Sequence, residues 1–70
     1  MENIATIAFR DLENRDEAAV IVRASSGRVA LALTLRTDGD LEVFMPLSTC
    51  DELVAALSEA RRFADPSLEG

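Results

Sequence analysis

The stretch "RVALALTLR", residues 28–36, decides the fold. Val29, Leu31, Leu33 and Leu35 alternate with Ala30, Ala32 and Thr34, which is the two-residue period of a strand. The leucine side is a core-facing row. The other side is small and apolar, unlike an ordinary wet surface, so the stretch asks what lies against it. Turn signals flank it at both ends. Before it, Ser26-Gly27 makes a two-residue hairpin loop, a site for a primed turn because glycine accepts positive φ. Closing there pairs Ala24 with Val29, Val22 with Leu31, Val20 with Leu33 and Ala18 with Leu35, apolar with apolar throughout. After it comes "RTDGD". A two-residue loop at Asp38-Gly39 sets Leu35 against Glu42 and fails. A three-residue loop, Thr37-Asp38-Gly39, places Gly39 at the left-handed position of a type I turn with a G1 bulge. It pairs Leu35 with Leu41, Leu33 with Val43, Leu31 with Met45 and Val29 with Leu47. Both hairpins agree on one core face, and a one-residue slip would flip that row outward.

Working outward, "AAVIVRAS" (18–25) is the strand preceding the centre, and "NIATIAFR" (3–10) is an earlier one, joined through the charged connector "DLENRDE" with Asn14 as its turn residue. Pro46 cannot donate to a ladder, so the last strand is expected at a sheet edge. "STCDELVAALSEARRFADP" reads as a helix. Thr49 and Glu52 form a capping box, Arg61 and Arg62 suit the C-terminal end, and Asp65 before Pro66 stops the run. Leu53, Ala56, Leu57, Ala60 and Ala64 make its apolar stripe, with Phe63 at the margin. The helix is expected over the row Val20, Val22, Leu31, Leu33, Val43 and Met45. The fold class is α+β: a four-stranded antiparallel meander followed by one C-terminal helix on one sheet face, ββββα. Residues 1–65 form a single domain and 66–70 a flexible tail.

Seventy residues bury only about 60% of the surface the unfolded chain exposes, so the core is marginal. Small scaffolds compensate with disulfides, a metal or association. Cys50 is the lone cysteine and there is no histidine, which excludes an internal disulfide and a structural zinc site. Self-association is what is left, and a homodimer is the expectation. No apolar run approaches a membrane span, and the N-terminus lacks the charge and apolar pattern of a secretory signal, so a cytoplasmic protein is expected. Seven arginines without lysine, amid many alanines and leucines, suggest a bacterial or phage coding bias. The net charge of −6 opposes non-specific nucleic-acid binding.

No constellation for chemistry emerges. Cys50 at a helix start is the sole conceivable nucleophile, but Asp51 and Glu52 beside it oppose the thiolate and no histidine acts as base. Asp38 and Asp40 around Gly39 are explained by a hairpin tip, and "TDGD" lacks the remaining ligands of a calcium loop. No catalytic, metal or cofactor site is expected, and the chain is read as non-enzymatic.

The expected site is instead a surface. In the register above, Ile21, Ala32 and Phe44 form a row across the outer face, with Ala30 and Pro46 beside it. Arg23 adds polarity, and Arg36 stands opposite Glu17 on one side and Asp40 on the other. Apolar centre and polar frame are the anatomy of an interface. The reading is a small acidic protein-interaction or regulatory module acting as a homodimer through this face or through an edge strand, or engaging another protein. The alternative is a single-stranded nucleic-acid-binding dimer using the arginine-bearing face, which resembles PC4-like proteins in element order only. Such sheets offer basic and aromatic side chains. Here the aromatics are Phe9, Phe44 and Phe63.

Overall fold

The computed structural model describes residues 1–68. Four strands, β1 (Glu2–Arg10), β2 (Glu17–Ser25), β3 (Arg28–Leu35) and β4 (Gly39–Pro46), form one antiparallel sheet in the order β1-β2-β3-β4. Helix α1 (Leu47–Ala64) follows and packs on the sheet at β3 and β4. The ββββα fold read from the alternating stretches is therefore the fold of the chain. Residues 66–68 make a 3-10 turn in which the Asp65 carboxylate accepts from the Ser67 amide (3.0 Å) and hydroxyl (2.7 Å). Of the expected tail 66–70, residues 69–70 lie outside the described residues.

The first hairpin has the expected register, with Val22 opposite Leu31 and Val20 opposite Leu33. Its turn differs in kind. Gly27 has φ +79 while Ser26 is not in the left-handed region, and both primed types require positive φ at the first central residue. The second hairpin closes earlier than expected. Leu35 pairs with Gly39, Leu33 with Leu41, Leu31 with Val43 and Val29 with Met45. The loop is Arg36-Thr37-Asp38, and Gly39, at φ +84, opens β4. A slip of two keeps every side chain on its face, so the apolar pattern does not select against it. Asp16 does bear on it: its carboxylate accepts from the Thr37 amide (3.0 Å) and hydroxyl (2.6 Å), fixing Thr37 at the centre of the loop.

The connector between β1 and β2 is ordered around acidic caps rather than around Asn14 alone. Asp11 accepts from the amides of Glu13 (2.7 Å) and Asn14 (3.2 Å), and Asn14 accepts from that of Asp16 (2.8 Å). The left-handed residue is Arg15, at φ 63. Near the start of β1 the register shifts between Asn3 and Ala5, leaving Ile4 as a bulge.

α1 begins two residues before the expected capping box. Pro46 is the N-cap, without a side-chain cap bond, so Thr49 already lies inside the helix. Proline's fixed φ, −70 here, and the ψ of 164 turn an edge strand directly into a helix with no residue between them. Connections from strand to helix normally span about 2–6 residues. α1 meets the sheet only at β3 and β4. Cys50 and Leu53 are half-buried, while Val54, Leu57 (61% exposed) and Phe63 (80% exposed) are open. The expected coverage of Leu33 and Val43 does not occur.

The result is flat and extended, 43 × 31 × 15 Å with a radius of gyration of 14.1 Å. A chain of this length packed as one globule has about 11 Å. The accessible surface is 5682 Å², against about 4,300 Å² for a folded monomer of this mass. Among the described residues no large side chain is fully buried.

Candidate interaction surface

Strand pleating sorts the sheet's side chains into two faces. One carries Ala5, Ile7 and Phe9 from β1, then Ala18, Val20, Val22 and Ala24 from β2. It continues with Val29, Leu31, Leu33 and Leu35 from β3, and Leu41, Val43 and Met45 from β4. All are apolar. A sheet face of this kind is built to be covered. Met45 and Ala18 are buried, but Ile7, Phe9, Leu33, Val43 and Leu41 (64% exposed) are open to solvent. Contiguous apolar exposure on this scale marks an interaction surface.

The other face holds the expected site residues, and the structure redistributes them. Ile21 still pairs with Ala32, but the third member of that row is Glu42. Phe44 lies one row away, opposite Ala30, which in turn faces Arg23. The straight row Ile21, Ala32, Phe44 is thus replaced by two rows, a direct consequence of the two-residue shift in β4. Arg23 reaches from β2 over the central strand to Glu42 on β4, Nη1 to Oε2 3.2 Å. Ala30 is wholly buried and Ala32 nearly so. They occupy the β3 positions of the two rows that the Arg23–Glu42 pair joins. Ile21 and Arg23 are half-buried, while Phe44 and Arg36 are exposed. Arg36 pairs with Glu17 as expected (3.6 Å), whereas Asp40 sits opposite Thr34.

Beside these rows, Ala8, Ala19 and Thr34 floor a shallow open depression rimmed by Arg10, Glu17, Arg36 and Asp40. Its charged rim is mixed in sign, with Glu17 already engaged by Arg36. At the nearby sheet end the Thr37 hydroxyl, then its amide, hold the Asp16 carboxyl below the usual carboxylate range. Ser67 does the same for Asp65. Among the described residues no three His, Cys, Asp or Glu side chains gather into a metal-binding group, and no helix is long and apolar enough to cross a membrane.

The open apolar face, rather than the alanine-floored one, is the larger candidate surface. Composition and periodicity alone assign that face to α1. The signal against this is the missing loop: "MPLSTC", residues 45–50, offers no reversing residues between the last strand and the helix. No protein-family model, curated protein or solved structure matches the chain.

Proposed function

We propose that the chain is a small, non-enzymatic protein-interaction module that works as a homodimer, joined through the apolar face of its sheet. The observation that carries this reading is the continuous apolar side of all four strands, with Ile7, Phe9, Leu33, Leu41 and Val43 left open. The excess accessible surface is the quantitative counterpart. A chain this small gains the core it lacks by sharing one. The outer face, closed at its centre by the Arg23–Glu42 pair, offers Phe44 as a secondary contact for another protein.

Sedimentation equilibrium tests the reading. The expected mass is twice 7.6 kDa, and Leu41→Glu should shift it toward that of one chain, because a carboxylate in an apolar interface lacks a partner. Phe44→Asp should leave the mass unchanged. A single-chain mass for the unmodified protein at every concentration overturns the proposal. A titration with labelled single-stranded oligonucleotides at low salt, where electrostatic affinity is greatest, should show no binding. Tight binding there would favour the nucleic-acid reading instead.

A further inference from the structure

We infer that the apolar sheet face of each copy is covered by helix α1 of the other, in a reciprocal exchange; this rests on the homodimer proposed above and specifies its geometry. Three observations lead to it. First, the chain carries two unsatisfied apolar surfaces, one on the sheet and one on the helix. Beyond the half-buried Leu53, the stripe continues through Leu57, Ala60 and Ala64 with Phe63 beside it, all exposed. These positions fall at i+4, i+7 and i+11 from Leu53, along one side of a helix. Second, the two surfaces meet only in part within one chain: α1 touches β3 and β4 and neither β1 nor β2. β4 runs into α1 through Pro46 with no intervening residue, and Leu57 on the helix and Leu33, Leu41 and Val43 on the sheet all stay open. Third, the dimensions agree. An 18-residue helix is about 27 Å long, and strands of eight or nine residues span about 26–30 Å.

The area sets the occupant. Each chain exposes roughly 1,400 Å² more than a compact monomer of its mass. Hiding that excess on two copies gives roughly 2,800 Å², within the range of obligate homodimers. A two-fold arrangement satisfies both surfaces of both chains and leaves none over. The charged groups agree with this placement. Asp51, Glu52 and Glu59 lie on the side of α1 away from the Leu53–Ala64 line, and among the described residues the sheet face opposite carries a charged side chain only at its margin, Glu2 opposite Ala24.

Two experiments on the full chain decide the matter. In a Cys50→Ser background, a chain with Leu57→Cys is refolded with a differently tagged chain carrying Leu33→Cys, and a short bis-maleimide is added. The expected product joins the two tags, and Leu33→Cys chains alone give no cross-link. Cross-linking of Leu33→Cys to itself, without the helix-to-sheet product, would mean sheet stacked on sheet and would overturn the exchange. The second inserts four residues, Gly-Ser-Gly-Ser, between Pro46 and Leu47. A free loop lets α1 fold onto its own sheet, so the mass should halve while the helix content is retained. A dimer that persists unchanged through the insertion refutes the exchange while leaving the homodimer standing. A single-chain mass for the unmodified protein removes both.

Discussion

Ala30 has no accessible surface, and its neighbours on either strand are Arg23 and Phe44. With no exposed surface left, a larger side chain at Ala30 must displace its neighbours. Ala30→Leu should therefore lower the unfolding free energy by about 1–3 kcal/mol, the usual cost of overpacking, read from the urea midpoint. Asp16 acts differently, by tying the β1–β2 connector to the tip of the second hairpin. Its carboxyl is depressed in the folded chain, so its contribution is full above the unfolded value and is lost as pH falls through the folded one. Asp16→Asn should accordingly lower the thermal midpoint at pH 7, and the difference from the unmodified chain should begin to narrow below about pH 4 and shrink further as pH falls. A constant difference across that range would show that the carboxylate's charge is irrelevant. Opposite charges on Arg23 and Glu42 and the small size of Ala30 and Ala32 were all visible in the sequence. Their mutual placement was not, because it depends on which residue of β4 stands beside β3.

That placement is a matter of turns, and the two hairpins show where local chemistry suffices. Ser26-Gly27 closes a loop of the expected length, and the pairs of β2 with β3 follow from it. At the second turn the apolar alternation fixes the face and leaves registers two apart equally acceptable. A distant residue, Asp16, holds the loop residue Thr37, and proximity of that kind is not encoded in the local pattern. Gly39 is needed in either register because its φ of +84 lies in the left-handed region. Nothing stands within 4 Å of a methyl group built there, so Gly39→Ala isolates backbone strain. It should cost about 1–2 kcal/mol in chemical denaturation, with no change in the slope. The helix teaches the complementary lesson. Its stripe and its stop at Asp65 were legible from spacing and from Pro66, as was the strand-edge position of Pro46. Its direction was not, because direction depends on the length of a connection that turned out to have no residues.

The described residues form a flat body, 15 Å across its thinnest dimension. In the proposed homodimer each chain would derive stability from its partner, so the melting temperature should rise with protein concentration. Calorimetry over a hundredfold dilution checks this, and a concentration-independent midpoint would speak against coupled folding and association. Salt provides a second sign. In the proposed homodimer two copies, each of net charge −6, would repel one another while apolar surfaces hold them together. Raising ionic strength screens the repulsion and should tighten the dimer. Nucleic-acid binding would show the opposite trend. An analytical gradient at low and high salt distinguishes the two.

The bulge at Ile4 breaks the regular ladder along the outer margin of β1, and Pro46 interrupts the donors on the outer margin of β4. A third molecule seeking to extend the ribbon by strand addition meets an irregular border on either side. Growth into fibres is thereby disfavoured even for a chain displaying so much oily surface, and crowding should drive it toward a small closed particle instead of an endless filament.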